Sequence, residues 1–234
     1  MRVGLISDVH ANRPALDAVL GAMPDVDALV HAGDVVGYGP FPSDVIERFR
    51  DEGIVSIQGN HDRAVLGTFH DNFHRIPKTA AQWTTERLTD DELAYLDALP
   101  VERELAGGRL KVVHGAPGNP NTYTYPEDFS ADLLGEESVL AVGHTHLQAK
   151  ASFDAGTVVN PGSVGLPRDG DWRAAYAVVD LDAGTVDLRR VEYPREETQE
   201  ALAANDLPEV LIDGLEHGEL VFGRAKRSVD DSVE

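Results

Sequence analysis

Short apolar runs, each bounded by polar or turn-forming residues, recur along the first sixty positions of the chain. This pattern is typical of buried strands and predicts three of them, at residues 3–7, 28–32 and 54–58. The first gap is predicted to hold a helix from the N-cap residue Asn12 to about residue 20, and the second a helix capped by Ser43 that ends at residue 50. Alternating strands and helices predict right-handed crossovers and a parallel sheet.

A helical insertion is predicted next, over about residues 63–99. Pro77 suits the first turn of a helix that continues to residue 88. Thr89 and Glu92 form a capping-box pattern, which predicts a second helix that ends before Pro100.

Strands follow closely in the second half of the chain. Five are predicted, at residues 101–105, 110–113, 139–142, 148–153 and 157–160. Residues 173–180 and 185–191 are predicted to form a hairpin, and residues 196–205 a helix. The second half is therefore expected to be mainly antiparallel. Two mixed β-sheets packed face to face, with helices outside, would accommodate both halves in an α/β fold.

Length and residue content narrow the class of protein. A chain of 234 residues can bury a core as one domain, which we place at residues 1–223, with a charged and disordered tail at 224–234. Cysteine is absent, which excludes disulfides, thiolate metal sites and cysteine nucleophiles. No apolar run approaches the roughly 20 residues that cross a bilayer, and Arg2 leads directly into a strand, so a cytoplasmic protein is expected.

The charge balance is strongly acidic. Acidic residues outnumber basic ones 41 to 20, which gives a formal net charge of −21. Such a surface repels polyphosphate backbones, so general nucleic-acid binding is not expected. We hypothesise adaptation to a high-salt cytoplasm, where a screening length of roughly a few ångströms weakens self-repulsion. The alternative to salt adaptation is an ordinary acidic, soluble protein. The sequence is also compatible with a homo-oligomer.

Side chains that bind metals follow five of the predicted strands, at the point where each strand ends. The carboxyl ends of strands converge on one crevice in open α/β sheets, so we expect these side chains to meet at one rim. A single histidine would more often be a surface or core residue, but five separate placements predict a metal site. The residues are Asp8, His10, Asp34, Asn60, His61, Asp62, His114, His144 and His146.

The spacing of these residues has a physical reason. Residues two apart in extended chain point the same way, so Asp8 with His10, and His144 with His146, can each approach a common centre. Imidazole, carboxylate and carboxamide groups without sulfur suit manganese, iron, nickel, zinc or cobalt better than a calcium cage. Glycines beside the ligands allow tight turns, at Gly33, Gly59, Gly115 and Gly143.

The same motifs, in this order, resemble those of a known family. They are Asp8-Val9-His10, Gly33-Asp34, Gly59-Asn60-His61-Asp62, His114, Gly143-His144-Thr145-His146 and Asn160-Pro161-Gly162-Ser163-Val164-Gly165. The set resembles the calcineurin-like metallophosphoesterases, and the last segment resembles their small phosphodiesterase branch in bacteria and archaea. The resemblance implies a four-layer fold, in which two mixed sheets form a sandwich flanked by helices.

The resemblance also implies a dinuclear metal site. One ion would be held by Asp8, His10, Asp34 and His146, and the other by Asp34, Asn60, His114 and His144, with Asp34 bridging. His61 would face the substrate phosphate as a catalytic residue, and Asp62 would orient His61. Two manganese ions are expected, with nickel, iron, zinc or cobalt as alternatives.

The chemistry expected of such a site is phosphate-ester hydrolysis. Two divalent ions about 3.5–4 Å apart acidify a bridging water, so that a hydroxide can attack phosphorus near neutral pH. His61 would donate a hydrogen bond to the developing charge and protonate the leaving alkoxide. The preferred function is a phosphodiesterase for a small or nucleotide-derived ester. A phosphomonoesterase for phosphoprotein or sugar phosphate, and a non-catalytic scaffold, are the alternatives.

The residues that recognise the substrate are less clearly indicated. Phosphoprotein phosphatases and dinucleoside-polyphosphate hydrolases carry an arginine shortly after the Gly-Asp motif, but residues 35–40 contain none. Arg63 is either a phosphate contact or a solvated helix residue. Three tyrosines in the loops could stack on a base or aryl group, or anchor the loops: Tyr38, Tyr123 and Tyr125.

Overall fold

The structure is a computed structural model that describes residues 1–69 and 73–220, within which the chain forms ten strands and seven α-helices. The strands are β1 (Arg2–Ile6), β2 (Ala28–His31), β3 (Val55–Ser56), β4 (Glu102–Leu105), β5 (Leu110–Val113), β6 (Val139–Ala141), β7 (Ala149–Phe153), β8 (Gly156–Asn160), β9 (Ala174–Asp180) and β10 (Thr185–Val191). The helices are α1 (Arg13–Ala22), α2 (Pro42–Asp51), α3 (Asn60–Val65), α4 (Arg75–Thr85), α5 (Asp90–Asp97), α6 (Arg195–Ala204) and α7 (Glu209–His217).

The first sheet has the strand order β10-β9-β1-β2-β3. The strands β1, β2 and β3 run parallel, with Leu5 opposite Val30 and His31 opposite Ser56. The strand β9 lies antiparallel to β1 and forms a hairpin with β10. Both the parallel βαβ arrangement and the hairpin predicted from the sequence are confirmed.

The second sheet has the strand order β4-β5-β6-β8-β7. Its central pairs, β5 with β6 and β6 with β8, are parallel, and only the edge pairs are antiparallel. The prediction of a mainly antiparallel second half therefore missed the centre of this sheet. The parallel centre matters because it directs the carboxyl ends of β5 and β6 to the same edge.

The core lies between the two sheets and on the helical side of the first one. Val3 and Leu5 of β1 pack against Val112 and Ala141 of the second sheet. Ile6 belongs to a second cluster, which the first sheet makes with α1 and α2. Burying each such side chain contributes roughly 1.5–3 kcal/mol, so β1 is held from both faces.

The outer face of the second sheet is covered by a segment with two short 3₁₀ turns. Leu140 and Val158 of this face pack against Phe129, Leu133 and Leu134 of that segment. Helices, two mixed sheets and this cover form the predicted α/β sandwich, which is confirmed.

The helix boundaries follow their capping residues. The Asn12 side chain accepts the Ala15 N–H at 3.2 Å, and Thr89 forms a reciprocal capping box with Glu92, as predicted. The Ser43 cap is wrong, because α2 already begins at Pro42. The helix predicted from Pro77 begins two residues earlier. The short helix α3 and the helix α7 were not predicted.

Three expectations concern the extent of the chain and its surroundings. The tail predicted at residues 224–234 lies outside the described residues, and the domain bounds 1–223 with an insertion at 63–99 stay predictions. Within the described ranges, no helix has both the length and the apolar character that crossing a membrane requires.

Candidate metal centre

The nine residues predicted to form the site meet at one edge of the sandwich. They follow the ends of β1, β2, β5 and β6, or lie in the first turn of α3. Each is at most 5% exposed, although all nine carry polar or ionisable groups. Burying so many polar groups is unfavourable unless each has a partner, so the partners of each group decide what the site can bind.

The first cluster comprises Asp8, His10 and His146, whose ligand atoms all lie within 4.8 Å of one another. The Oδ1 atom of Asp8 lies 3.1 Å from Nε2 of His146 and 3.7 Å from Nε2 of His10. The two Nε2 atoms are 3.0 Å apart. Two ring nitrogens and a carboxylate oxygen facing one point are the donor set expected around a divalent cation.

The second cluster comprises Asp34, His114 and His144, also within 4.8 Å. The Oδ2 atom of Asp34 lies 3.3 Å from Nε2 of His114, and Asn60 Oδ1 lies 2.9 Å from the same nitrogen. Asp34 Oδ2 is also 3.7 Å from Nε2 of His10 in the first cluster. The Asp34 carboxylate therefore lies between the two clusters.

The imidazole rings are held from behind by backbone carbonyls. The Nδ1 atom of His10 lies 3.3 Å from the Val36 carbonyl, that of His114 lies 2.8 Å from the Ala32 carbonyl, and that of His146 lies 2.5 Å from the Leu166 carbonyl. An Nδ1–H that donates to a carbonyl leaves Nε2 with its lone pair. This tautomer is the one that binds metals through Nε2.

In the carboxylates of Asp8 and Asp34, likewise, one oxygen forms hydrogen bonds within the protein and the other faces the cluster. The Oδ2 atom of Asp8 accepts the Ser7 hydroxyl at 2.6 Å and the His144 N–H at 3.1 Å. The Oδ1 atom of Asp34 accepts the His61 N–H at 2.8 Å. The other oxygen of each carboxylate, like Nε2 of His144, is buried without a hydrogen-bond partner among the described residues. Such an atom costs about 1–3 kcal/mol, so a cation in each cluster fits the residues present.

Electrostatics within the clusters favours ionised carboxylates. Burial opposes ionisation of Asp8, but His146 and His114 outweigh it and hold the pKa of Asp8 well below its usual range. Burial also opposes the charged form of His114, but Asp34 outweighs it and raises the pKa of His114 to about 9. Without metal, Asp34 therefore favours an additional proton on Nε2 of His114, and a cation bound at that nitrogen would displace it.

Backbone strain is concentrated at this edge of the sandwich. Within the described chain, nine non-glycine residues have positive φ, and seven of them belong to the loops of the site. Each such residue costs on the order of 1–3 kcal/mol, which the surrounding contacts must offset. The seven are Asp8, His10, Ala11, Asp34, Tyr38, His144 and His146.

Two glycines of the motifs are required because other side chains at the site approach their Cα atoms closely. A Cβ atom at Gly59 would lie 2.0 Å from Oδ1 of Asp34, and one at Gly143 would lie 2.2 Å from Oγ of Ser7. Neither distance is sterically allowed. These positions show why glycine flanks the ligands in two of the motifs.

Asp62 has different partners from the predicted one. Its carboxylate accepts four backbone N–H groups at 2.9–3.3 Å, from Gly59, Asp34, Val35 and Val36. Burial and the nearby Asp34 charge raise the pKa of Asp62 to about 7. The carboxylate thus fastens the loop after β2 to the start of α3, and it positions Asp34 rather than the His61 ring.

The His61 ring packs against Tyr38, whose centroid is 4.3 Å away, and against Phe73 at 5.1 Å. Its Nδ1 is buried, and no described residue forms a hydrogen bond with it. Burial lowers the pKa of His61 to about 4. The negative charge of Asp34 opposes this shift, and the positive charge of Arg168 adds to it. The ring is therefore neutral at pH 7 and retains one N–H donor.

The three tyrosines and the arginine whose roles the sequence did not decide lie at different positions around the site. Tyr38 is only 5% exposed, so it supports the site from within. Tyr123 is 43% exposed, and its ring stacks on the His144 ring with a centroid distance of 3.9 Å. The centroid of the Tyr125 ring lies 6.1 Å from that of Tyr123, so these two tyrosines line the mouth of the site. Arg63 donates to Oδ1 of Asn121 at 2.5 Å.

Sequence reasoning missed the role of the segment after β8. Asn160 donates to the Gly143 carbonyl at 2.8 Å and to the Thr145 hydroxyl at 3.0 Å, which holds the loop that carries His144 and His146. Ser163 donates to the Asp8 carbonyl at 2.7 Å. The motif was visible in the sequence, but its task as a support for two ligand loops was not.

Comparisons with known proteins bear on what this centre does. The family model of the calcineurin-like phosphoesterase superfamily domain matches residues 1–184, which include all nine site residues. The uncharacterized protein MJ0912 of Methanocaldococcus jannaschii is 33% identical over 234 residues, covering 91% of this chain and 96% of that protein. Phosphodiesterase YfcE of Escherichia coli is 29% identical over 198 residues, covering 80% of this chain and 91% of YfcE.

A solved structure extends the similarity to the backbone. The crystal structure of a metallophosphoesterase from Sphaerobacter thermophilus matches with a TM-score of 0.83 and 36% identity. The match covers 93% of this chain and 99% of that chain.

Proposed function

The chain belongs to the calcineurin-like phosphoesterase superfamily and is a phosphoester hydrolase, and from that premise we propose that it is a dinuclear metal-dependent phosphodiesterase for a small or nucleotide-derived ester. The observation that carries this proposal is the pair of buried ligand clusters with the Asp34 carboxylate between them. The preference for a diester is supported by the similarity to phosphodiesterase YfcE.

We assign the ligands of each ion from the two clusters. Asp8, His10, Asp34 and His146 would hold one ion, and Asp34, Asn60, His114 and His144 the other. The nitrogen and oxygen donors suit manganese, with nickel, iron, zinc or cobalt as alternatives. When bound, two such ions supply Lewis acidity, which lowers the pKa of a water molecule and neutralises phosphate charge.

The protein's own groups prepare the site for an anionic substrate. The backbone carbonyls behind His10, His114 and His146 hold the rings in one tautomer and orientation, so no reorganisation is needed during the reaction. The bulk of the site is closed off from water, because the ligand residues are nearly fully buried. Preorganised donors in such surroundings stabilise charge more strongly than they would in water.

His61 is the proposed donor to the phosphate. Its ring is neutral at pH 7, since burial lowers its pKa to about 4, and its N–H can donate to a phosphate oxygen. A bound phosphate anion would raise this pKa and so increase the fraction of imidazolium, the form that can protonate the leaving oxygen. Asp62 contributes by holding the loop that carries Asp34.

The experiment compares bis(4-nitrophenyl) phosphate with 4-nitrophenyl phosphate on manganese-loaded protein. We expect the larger kcat/KM for the diester and loss of turnover after chelation. Faster cleavage of the monoester would instead support the phosphomonoesterase alternative.

A His61→Ala variant with unchanged metal content serves as the control for catalysis. We expect a loss of about 10²–10⁴-fold in kcat, as is usual for a general acid or donor. Unchanged turnover in this variant would contradict the role assigned to His61.

A further inference from the structure

We infer that Arg168 binds a non-bridging oxygen of the substrate phosphate and supplies the cationic clamp that the chain lacks after Gly33-Asp34. The inference deepens the proposed function and rests on it. Four observations carry it: the anchoring of the Arg168 loop, the direction of its side chain, its lack of an acidic partner and its contrast with Arg63.

The loop that carries Arg168 is fastened to the first ligand cluster. The N–H groups of Val164 and Gly165 donate to the carbonyls of Ser7 and Asp8, each at 3.0 Å. The Arg168 N–H donates to the His146 carbonyl at 3.4 Å. Arg168 therefore leaves the backbone from a position tied to residues on both sides of that cluster.

The side chain is directed toward the catalytic histidine. The Cζ atom of Arg168 lies 5.9 Å from the centroid of the Tyr38 ring. The Tyr38 ring in turn contacts His61 at 4.3 Å and His10 at 4.8 Å. The guanidinium therefore lies near the place where His61 would meet phosphate.

The Arg168 guanidinium has N–H donors that are not bound to a carboxylate of the described chain, although the protein is rich in acidic residues. Nine arginines of residues 1–69 and 73–220 pair with a carboxylate, as Arg173 does with Asp171, but no ion pair within these ranges includes Arg168. Its Nε is buried and makes no hydrogen bond within the described chain. An arginine that has no carboxylate partner among the described residues, and that lies next to a candidate phosphate site, is suited to an anionic ligand.

Arg63 is the other arginine near the mouth, and its contacts give it a different task. Its Nη2 donates to Oδ1 of Asn121 at 2.5 Å, which ties α3 to the loop after β5. The two arginines can therefore be compared directly, because both border the site, but Arg63 is tied to Asn121 whereas Arg168 lies against Tyr38 beside His61.

The test measures the affinity of manganese-loaded protein for inorganic phosphate by calorimetry, and KM and kcat for bis(4-nitrophenyl) phosphate. Removing a charge-assisted contact in Arg168→Ala should weaken phosphate binding about 10- to 100-fold and raise KM with a smaller change in kcat. Arg168→Lys should recover part of the affinity, because a lysine keeps the charge but not the two-pronged geometry. Arg63→Ala should leave phosphate affinity unchanged.

Metal content and thermal unfolding are measured for every variant. Arg168→Gln preserves much of the side-chain length, so it decides the question if the alanine variant does not load metal. Wild-type phosphate affinity in a metal-loaded Arg168→Ala or Arg168→Gln variant, or a larger loss in Arg63→Ala, overturns the inference. If the wild-type protein cleaves no diester, the proposed function fails, while the phosphate affinities still decide the role of Arg168.

Discussion

At the scale of single residues, the site is defined by which atoms the protein leaves without partners. Asp8 and Asp34 each use one oxygen for hydrogen bonds within the protein and expose the other to the clusters. His10, His114 and His146 likewise direct Nδ1 to a backbone carbonyl and Nε2 into the clusters. Because an unpartnered buried atom is unfavourable, the arrangement is expected to be more stable with cations bound than without them.

Asp34→Asn tests the position of Asp34 between the clusters. The amide keeps the shape of the side chain but loses the negative charge that both clusters share, so we expect manganese binding to weaken at both sites. The measurement is manganese content after dialysis, determined by mass spectrometry.

The matched control is Asp44→Asn, since Asp44 pairs with Arg13 on the surface and is 42% exposed. This variant should keep the full metal content. Loss of only one ion in Asp34→Asn would argue that Asp34 serves a single cluster.

At the scale of elements, strand ends and one helix start determine how the ligands approach each other. The helix α3 begins at Asn60, and the Asp62 carboxylate at its third position accepts the Gly59 N–H. The same carboxylate holds the backbone of the loop after β2. This single residue therefore sets the distance between the start of α3 and Asp34.

Gly59→Ala tests this close packing without removing a ligand. The new Cβ would lie 2.0 Å from Oδ1 of Asp34, so α3 or Asp34 must move. We expect reduced manganese content, together with a destabilisation of about 1–3 kcal/mol in urea unfolding, typical of overpacking.

Gly21→Ala is the control, because Gly21 lies in α1 and no atom lies within 4 Å of the new Cβ. It should be neutral or stabilising by up to about 1 kcal/mol. Equal effects of the two substitutions would rule out steric conflict at Gly59 as the cause.

At the scale of the whole molecule, the net charge of −21 bears on the stability of the folded state. Arginines on the surface pair with carboxylates, for example Arg48 with Asp17 at 3.0 Å and Arg50 with Asp91 at 2.8 Å. With 41 acidic and 20 basic residues, the chain has about twice as many acidic groups as basic groups that could pair with them. Their mutual repulsion destabilises the folded state and is screened by salt.

A rising unfolding temperature with added potassium chloride is therefore expected. The screening length falls from about 10 Å at 0.1 M salt to about 3 Å at 1 M, which weakens the repulsion. Calorimetric or fluorescence melting at several salt concentrations measures the effect, with sucrose at equal osmolality as the control for non-ionic stabilisation. Full stability in dilute buffer would argue against the high-salt hypothesis.

Much of the fold and the residues of the candidate site could be predicted because their signals are local. Apolar runs indicate strands, Asn12 and Thr89 mark helix starts, and metal-binding side chains stand next to strand ends. The ordered motifs then placed the chain in its family. Each of these inferences depends on residues close together in sequence.

Other features depend on contacts between distant segments, and the sequence alone did not reveal them. The parallel centre of the second sheet is decided by which strands pair, and the partners of Asp62 by how the loop after β2 meets α3. Arg168 lies 107 positions from His61, and only folding brings it to Tyr38 and the site. The sequence by itself determined which atoms could bind metal. Only the tertiary structure gathers these atoms into two clusters and brings Arg168 to Tyr38, because both arrangements depend on long-range packing.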